Sequence, residues 1–469
     1  MSKFLYQQLA DSLSDRIQSD VWLPGDRLPS IRQLSEQHRV AKISVQKALH
    51  ALEAAGLVEA RPRSGYFVAR RKPVDTPPQT NFVQKPPQLI QVPEIFHEIM
   101  ARSAAFDLCP WAPLPEPQPS LERLNRHLGR AMRQQTKQKA FYYTGPEGNL
   151  ALRQQIQSHY RSRQCSLDAN DICITSGCQN SLFLALMSCC QPGDVVAVES
   201  PAFYGVLQLL QQLKLKVVEV PASPTRGLSA DALQQVLEQW DVRACVVTPN
   251  YATPTGACMP ASEKRRLVEL TRSHDFILIE DDIYGDLGFH FQPEPLKRYD
   301  RDGRVILCSS FSKSLSRDLR IGWICGGRYH DRIVHLKLIN QLASGQALQE
   351  GLASFMAEGH FKRHLVHQRQ QLKHNRDRLL QVLNQQWQVP FHCTVPEGGL
   401  SLWIELARNQ DTKAHYQSLL ANNIVIAPGA LFSAGGQYDH YLRLSFAHPP
   451  IGPRYDALML LDRAFSASG

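Results

Sequence analysis

The segment that decides the fold lies in the second half of the chain, where residues 305–323 read VILCSSFSKSLSRDLRIGW. Val305 to Cys308 has the apolar composition of a buried strand, and a serine-rich turn that carries Lys313 follows it directly. A lone lysine is most often a solvated surface residue, so Lys313 has to be judged together with the motifs that precede it.

Four other apolar runs precede this segment, and helical stretches separate them. Each run has the length of a short strand and is followed by polar residues. Strands that alternate with helices predict an α/β domain built around a mostly parallel sheet. The four runs are Asp171–Thr175, Val195–Val198, Ala244–Val247 and Phe276–Ile279.

The polar residues after these strands carry the candidate chemistry, because ligands of parallel sheets bind at the carboxyl ends of the strands. A glycine turn at a helix N-terminus, as in the first motif, presents free N–H groups to a phosphate. Taken singly each motif is a weak signal, since an acid after a strand is often a helix cap. The motifs read TSGCQN at 175–180, ESPAFYG at 199–205, TPNYATPTG at 248–256 and EDDIY at 280–284.

In this order and spacing, the motifs resemble those of the fold-type I aminotransferases that depend on pyridoxal phosphate (PLP), over roughly residues 106–465. The resemblance implies that Lys313 is the catalytic residue that forms a Schiff base with the cofactor. It places Asp281 beneath the pyridinium nitrogen, where a negative charge lets the ring act as an electron sink. Tyr284 is expected to bind the ring hydroxyl, and Phe203 to stack on the ring.

The same resemblance supplies the remaining site residues. Arg443, in the run LRLSF, is expected to grip the α-carboxylate of an amino acid in a bidentate manner. Tyr143 is expected to reach the site across a dimer interface. The phosphate of the cofactor is expected to lie against Gly177, Cys178, Gln179, Ser310 and Arg320.

One position departs from the family pattern. Just before Pro254 these aminotransferases often carry an asparagine that contacts the ring hydroxyl, and this chain has Thr253 there. Asn250 stands nearby and is retained as a cofactor-binding candidate. Cofactor binding should survive the change, because the lysine, the acid, the phosphate-binding residues and the arginine are all present.

Residues 1–70 have a different pattern, which predicts three helices followed by a two-stranded hairpin, the wing. Ser30 and Gln33 form a capping-box signature, so a second helix should begin directly after Ser30. The third helix should turn its apolar residues inward and Lys42 and Gln46 outward, which suits entry into the major groove of DNA. A solvated amphipathic helix is the plainer alternative for this helix alone.

This segment resembles the winged-helix domain of the GntR family over about 65 residues. One departure is Ala41, near the start of the recognition helix, where the family often has a hydroxyl residue that caps the helix and contacts a phosphate. The residues that the resemblance assigns to double-stranded DNA are Arg32, Lys42, Ile43, Ser44 and Gln46, with Arg63, Ser64 and Gly65 at the tip of the wing.

The basic charge of the chain is concentrated in this N-terminal part. The whole sequence carries a formal net charge of +9, and residues 1–72 contribute +5 of it. A basic patch is the electrostatic requirement of a nucleic-acid-binding module, although a solvated basic surface gives the same count.

The cysteines and the apolar runs bear on the cellular compartment. The eleven cysteines form no CxxC pair, and many lie in apolar stretches, which indicates buried free thiols in a reducing compartment. The histidines lack metal-site spacing, so no metal is expected. With neither a signal peptide nor an apolar run near the ~18 residues of a membrane span, the sequence predicts a cytoplasmic protein with no membrane partner.

Residues 71–105 are rich in proline, glutamine and threonine, and they predict a semi-extended tether, part of which should dock on the domain that follows. The sequence therefore divides into a winged helix-turn-helix domain at 1–70, a linker at 71–105, and a PLP-binding domain at 106–469 with a smaller C-terminal α/β subdomain.

Joined in this order, the two modules resemble the MocR-like subfamily of GntR regulators. The resemblance implies a homodimer that reads two half-sites of a DNA operator and senses PLP, an amino acid or a related amine, or PLP together with such an effector. The alternative is a working amino-acid aminotransferase with an accessory DNA-binding domain, and fast multiple turnover would favour it. The regulator is preferred, because a catabolic enzyme gains nothing from residues 1–70.

Overall fold

The structure, a computed structural model, describes residues 5–18, 22, 26–38, 40–54, 57–61, 64–68, 78, 82–90, 107–113, 119–135, 143 and 145–466. The chain divides into two compact units, residues 1–74 and 75–469. Each unit has a hydrophobic core of its own.

Three helices and a β-hairpin form the N-terminal unit, as the sequence predicts. The apolar sides of the helices face one core, in which Leu13, Leu34, Val45 and Leu49 are fully buried. The elements are α1 (Leu5–Gln18), α2 (Ile31–His38), α3 (Lys42–Ala54), β1 (Val58–Arg61) and β2 (Gly65–Val68).

Local hydrogen bonds define the start of α2. The Ser30 N–H donates to Gln33 Oε1 at 2.8 Å, and the Gln33 N–H donates to Ser30 Oγ at 3.3 Å. This reciprocal pair confirms the predicted capping box, and it satisfies N–H groups for which the start of a helix offers no backbone partner.

The segment before α2 holds the hairpin to the helices. Val68 donates its N–H to the Asp26 carbonyl at 2.8 Å, and Leu28 donates to the Tyr66 carbonyl at 2.9 Å. Strand β2 therefore has backbone partners on both edges, β1 on one side and residues 26–28 on the other. The wing is fixed to the body of this unit at its base.

A large sheet forms the centre of the second unit. Its strands are β3 (Gln88–Leu89), β4 (Ile172–Thr175), β5 (Val195–Ser200), β6 (Lys216–Ser223), β7 (Gly227–Leu228), β8 (Val242–Val247), β9 (Ile277–Asp281), β10 (Val305–Ser310) and β11 (Gly322–Cys325). They are hydrogen-bonded in the order β3-β6-β5-β8-β9-β10-β11-β4, and β7 pairs with β6. All five runs that the sequence analysis assigned to strands lie in this sheet.

Six of the nine strands of this sheet run in one direction. They are β4, β5, β6, β8, β9 and β10, whereas β3, β7 and β11 run in the opposite direction. The predicted α/β fold with a mostly parallel central sheet is confirmed. Because β10 and β11 are antiparallel, the turn between them, which carries Lys313, lies at the carboxyl edge of the sheet.

Helices cover both faces of the sheet. Ile277 and Ile279 of β9 pack into one apolar cluster and Leu278 into another, so alternate residues of the strand are buried on opposite sides. The described helices include none that is long and apolar enough to cross a bilayer. They are α4 (Pro119–Gln135), α5 (Leu150–Ser162), α6 (Cys178–Cys189), α7 (Tyr204–Gln212), α8 (Ala230–Gln239), α9 (Ala261–Ser273), α10 (His330–Gln341), α11 (Gln346–Ala357) and α12 (His360–Gln386).

A second, smaller sheet forms the C-terminal subdomain that the sequence predicts. Its strands are all antiparallel and follow the order β12-β13-β15-β14. The elements are β12 (His392–Cys393), β13 (Ser401–Glu405), α13 (Tyr416–Ala421), β14 (Ala427–Pro428), β15 (Tyr441–Ser445) and α14 (Pro453–Ser466).

Part of the predicted linker lies against the large unit. Gln88 and Leu89 pair antiparallel with Val217 and Lys216 and so add the edge strand β3 to the sheet. This contact confirms that part of the linker docks on the large unit. The exact limits of the linker at 71–105 stay a prediction.

Candidate functional site

A cavity of about 550 Å³ opens at the carboxyl edge of the sheet, where β9 and β10 end. This volume is within the range of roughly 300–1,000 Å³ that is usual for small-molecule sites. The side chains around the cavity come from strand ends, from the turn after β10 and from the starts of α6 and α7. They are Cys178, Gln179, Leu182, Phe203, Tyr204, Gly205, Gln208, Thr253, Asp281, Ile283, Tyr284, Ser310, Ser312, Lys313, Arg317 and Arg320.

One end of the cavity is built to hold an anion. Helix α6 begins at Cys178, so its first N–H groups and the positive end of its dipole face this end. Gly177 precedes the helix with a φ of +99°, and a Cβ there would lie 2.6 Å from Arg320 Nη2. Only glycine allows the guanidinium to approach the backbone this closely. Arg320 donates to the Ser176 carbonyl at 3.0 Å and to Ser312 Oγ at 3.4 Å.

The carboxyl group of Asp281 lies buried in the cavity wall, at the end of β9. Cys178 Sγ donates to Asp281 Oδ1 at 3.1 Å, and the Ile283 N–H donates to the same oxygen at 3.2 Å. Burial nevertheless raises the pKa of Asp281 from 3.8 to about 6. A buried carboxylate of this kind is a strong acceptor for a protonated ring nitrogen.

Lys313 lies in the same cavity and has the properties of a nucleophilic amine. Burial holds the pKa of Lys313 well below its usual value, and the positive charges of Arg317 and Arg443 act in the same direction. A lowered pKa increases the fraction of neutral amine, which is the form that attacks a carbonyl carbon. Tyr284 is buried beside it, and burial raises the pKa of its phenol, which therefore keeps its proton.

Aromatic side chains separate the cavity from Arg443, which is almost fully buried on β15. Its guanidinium lies 5.9 Å from the ring centre of Tyr204 and 5.5 Å from that of Phe432. Tyr204 lines the cavity and is tilted against Phe203, with ring centres 4.9 Å apart. Arg443 is therefore adjacent to the cavity through the Tyr204 ring.

The structure does not bring Asn250 to the cavity, and its assignment to the cofactor is corrected here. Its amide donates to Asp282 Oδ1 at 2.9 Å, and Lys264 Nζ donates to its oxygen at 2.7 Å. Asn250 is fully buried, and its side chain forms these hydrogen bonds in the interior of the large unit. Thr253, the residue at the family position, lines the cavity instead.

Sequence reasoning also missed residues that line the cavity. Tyr204, Ser312 and Arg317 are all within motifs quoted above, but periodicity does not tell which side chain of a turn points inward. Tyr143 is 80% exposed in the protomer. Its assignment to a neighbouring subunit stays a prediction.

A separate cluster of polar side chains joins α4 to the turn before α12. Glu358 Oε2 lies 3.6 Å from His127 Nε2 and 3.3 Å from His360 Nε2. Arg363 donates to Nδ1 of His360 at 2.8 Å, so the neutral ring carries its proton on Nε2, toward Glu358. This proton favours a polar brace between the helices over a metal site.

The predicted DNA-binding residues of α2 and α3 lie at the surface of the N-terminal unit. Arg32, Lys42 and Gln46 are exposed, and 68% of the Ile43 side chain is accessible. The Arg32 guanidinium contacts Glu36 at 3.1 Å, and such an exposed ion pair is weak enough to yield to a phosphate. Ser44 is half-buried.

The predicted tip of the wing is described only in part. Ser64 and Gly65 are exposed, and Gly65 has a φ of +102° that suits a tight turn. Arg63 lies outside the described residues.

The residues of the cavity fit PLP. An anion site at α6, a buried carboxylate and a lysine of low pKa match the phosphate, the pyridinium nitrogen and the aldehyde of this cofactor. Gly177, Cys178, Gln179, Ser310 and Arg320 would hold the phosphate, and Phe203 and Tyr284 would contact the ring.

Models of two protein families match the chain. "Aminotransferase class I and II" matches residues 118–451, and "Bacterial regulatory proteins, gntR family" matches residues 5–68. The uncharacterized HTH-type transcriptional regulator YjiR of Escherichia coli (strain K12) is 39% identical over 98% of both chains. YdcR, also an uncharacterized HTH-type regulator of that organism, is 33% identical over 94% of this chain and 95% of its own. The chain is a MocR-like regulator of the GntR family.

The large unit of this MocR-like regulator shares its fold with solved aminotransferases. Kynurenine aminotransferase of Pyrococcus horikoshii, in complex with PMP, is 25% identical with a TM-score of 0.71, and the match covers 81% of this chain and 95% of that one. The α-aminoadipate aminotransferase LysN of Thermus thermophilus gives the same identity and TM-score over 81% and 96%. PLP is the cofactor of this family, and it supplies an electron-accepting ring to a bound amine.

The raised pKa of Asp281 predicts a pH-dependent gain in stability for Asp281→Asn. In the cofactor-free MocR-like regulator, the burial of the carboxylate destabilises the fold as the pH rises from about 4 to about 6. Above pH 6 the variant should be more stable than wild type by up to about 3 kcal/mol, and near pH 4 the gain should vanish. Calorimetric melting at several pH values, with the exposed Asp318→Asn as control, checks this, and a gain independent of pH would contradict it.

The exposed face of α3 predicts salt-dependent DNA binding by this MocR-like regulator. Affinity for the DNA upstream of its own or neighbouring genes should fall as salt rises, through counterion release. Arg32→Ala and Lys42→Ala should each weaken binding by about 1–3 kcal/mol if they contact base edges. Fluorescence anisotropy measures this, with Arg301→Ala as a control of equal charge on the large unit. Equal losses in all three variants would show that these two residues make no specific contact.

Proposed function

We propose that this regulator senses an amino acid bound together with PLP in the cavity, and that the bound amino acid changes its affinity for a DNA operator with two half-sites. One observation carries the proposal. The linker is hydrogen-bonded to a loop, residues 433–437, that directly follows the residue packed against Arg443. We call residues 433–437 the coupling loop.

The linker contacts the coupling loop at several points. Lys85 Nζ donates to the Gly435 carbonyl at 2.9 Å. The Val83 N–H donates to Gln437 Oε1 at 3.2 Å, and Gln437 Nε2 donates back to the Val83 carbonyl at 3.4 Å. Gln84 Nε2 donates to the carbonyl of Glu219 on β6 at 3.0 Å. The linker is therefore bound to the large unit by polar contacts as well as by strand β3.

Glu219 ties the coupling loop to the sheet. Its buried carboxylate accepts hydrogen bonds from Ser200 Oγ at 2.9 Å, from Ser433 Oγ at 3.1 Å and from the Gly435 N–H at 3.0 Å. Burial raises the pKa of Glu219, and these donors offset part of that effect. A displacement of the loop would break charge-assisted hydrogen bonds, so the loop favours discrete positions over continuous drift.

Phe432 joins this loop to the cavity. Its ring packs on Tyr204, with centres 5.6 Å apart, and faces the guanidinium of Arg443. Its carbonyl accepts a hydrogen bond from the Ala202 N–H at 2.8 Å, beside the cavity. An Arg443 that turns toward a bound carboxylate must repack against Phe432, and the coupling loop begins at the next residue.

A ligand shifts a conformational equilibrium only if it binds the two states differently. Arg443 supplies that difference in the proposed mechanism, because its guanidinium grips the α-carboxylate in one arrangement of the C-terminal subdomain and not in the other. The amino group on the same carbon would meet Lys313, whose amine is close enough for the charge of Arg443 to act on it. Both the α-carboxylate and the amino group of an amino acid are then needed for the response.

The aminotransferase fold is usually dimeric, and we propose that the regulator is a homodimer. The exposed Tyr143 supports this, as expected of a residue that completes a neighbouring site. Helix α10 also exposes Leu338 and Ile339, and Leu342 follows at its end. Such a cluster is typical of a surface that a partner covers. Two identical subunits present two α3 helices, which suits an operator with two half-sites.

Transamination is the second candidate function. The lowered pKa of Lys313 favours it, because amine exchange needs the neutral form of a lysine and a buried acid beside it. Steady-state assays with a panel of amino acids and 2-oxo acids separate the two functions. Fast multiple turnover would make catalysis primary, whereas binding without turnover would support the sensor.

The proposed mechanism predicts the behaviour of Arg443→Ala. In the wild type, the amino acid that perturbs the cofactor absorbance should change DNA affinity by a coupling of about 1–3 kcal/mol. The variant should lose this response and keep both PLP loading and DNA binding without ligand, because Arg443 lies outside the phosphate site. Anisotropy titrations with each standard amino acid measure the response. A variant that still responds fully would show that the signal does not act through a grip on the carboxylate.

Arg408→Ala is a matched control, since Arg408 is an exposed arginine of the same subdomain. It should respond like the wild type. Arg443→Lys should retain part of the response, because an ammonium group binds a carboxylate without the bidentate geometry of a guanidinium.

A further inference from the structure

Arg317 is a cavity residue for which the proposed function has no role. It lies at the rim, lining the cavity while it remains exposed to solvent in the protomer. It follows Lys313 by four residues, in the turn between β10 and β11. Among the charges that act on the amine of Lys313, that of Arg317 lowers its pKa more than those of Arg443 and Arg320. Its guanidinium is therefore close to the reacting end of the site.

The positive groups around the cavity outnumber the negative groups that would neutralise them, and Arg317 is the positive group without a partner role. Asp281 faces the position of the pyridinium nitrogen, Arg320 belongs to the phosphate site, and Arg443 is adjacent to the position of an α-carboxylate. A ligand with one carboxylate would leave a third arginine, Arg317, without a counterion inside the cavity. Burial lowers the pKa of Arg317, and the charge of Arg443 adds to this effect.

The acids near Arg317 are already engaged or face solvent. The charge of Asp107 acts on Arg317, but its two oxygens accept hydrogen bonds from Arg454 Nε at 2.9 Å and Nη2 at 2.7 Å. Asp318 follows Arg317 directly and is exposed. Among the described residues, no carboxylate forms an ion pair of 4 Å or less with Arg317, so its guanidinium is available to a ligand.

We propose that Arg317 binds a second acidic group, so that the ligand of this cavity is an amino acid with an acidic side chain. The inference rests on the proposed function, because it requires an amino acid whose α-carboxylate reaches Arg443. The ligand then spans the cavity between two guanidinium groups, with its amine at Lys313. A position at the rim suits the distal end of a side chain.

A charged contact of this kind discriminates strongly between isosteres. Glutamate and glutamine differ by one charge at nearly equal volume, as do aspartate and asparagine. A charge-assisted contact to a partly desolvated guanidinium should favour the acid over its amide by about ten- to a hundredfold in affinity.

The test uses the full-length, PLP-loaded protein and measures binding, not turnover. L-glutamate, L-glutamine, L-aspartate and L-asparagine are titrated separately, and cofactor absorbance and calorimetry report the dissociation constants. Wild type should prefer each acid over its amide by at least about tenfold. Arg317→Gln should bind acid and amide equally, while Arg317→Lys should keep part of the preference. Arg301→Gln, an exposed arginine outside the cavity, should behave as wild type.

The outcomes separate this inference from the proposed function. Equal affinity of wild type for acid and amide would overturn the role of Arg317 and leave an amino-acid sensor intact. The same holds if Arg317→Gln weakens PLP binding without changing the preference, because Arg317 would then belong to the phosphate site. If no amino acid binds to the wild type, both proposals fail. Melting temperatures verify that each variant is folded.

Discussion

The buried charges at the carboxyl edge of the large sheet are the constraint on which the site depends. Adjacent acids at the end of β9 point to opposite sides, as successive residues of a strand must. Asp281 faces the cavity beside Cys178, whereas the carboxylate of Asp282 accepts hydrogen bonds from Nη1 and Nη2 of Arg163 at 2.5 and 2.9 Å. The ion pair between Asp282 and Arg163 fixes the end of β9. The carboxyl group of Asp281 is thereby held in the buried wall of the cavity that contains Lys313.

The same edge connects the cavity to the linker. Phe432 touches Tyr204 and Arg443, and the coupling loop that follows it holds both the buried Glu219 and the linker. A flexible tether would transmit little of a motion in the large unit. The linker is bound to the large unit at Val83, Lys85 and strand β3. A change in the coupling loop on ligand binding is therefore transmitted to the linker, which leads along the chain to the DNA-binding unit.

Much of this could be predicted from the sequence, and the failures have physical causes. Apolar runs located the strands, and the pair Ser30 and Gln33 located a helix start, because burial and capping are local signals. Asn250 was misassigned because its amide is hydrogen-bonded to Lys264 and Asp282, which are distant from it in the sequence. Arg317 was missed because an irregular turn has no periodicity to orient its side chains. The coupling loop is formed by long-range contacts that no local pattern encodes.

Hydrogen exchange of the linker tests the central claim, that occupancy of the cavity is transmitted through the coupling loop. Exchange is followed at residues 82–90 and 433–437 in the PLP-loaded protein with and without saturating L-glutamate, and helix α8 serves as an internal reference. The account predicts that both segments change together on ligand binding, and that neither changes in Arg443→Ala. If L-glutamate binds and alters DNA affinity while exchange at both segments stays the same, the account is contradicted.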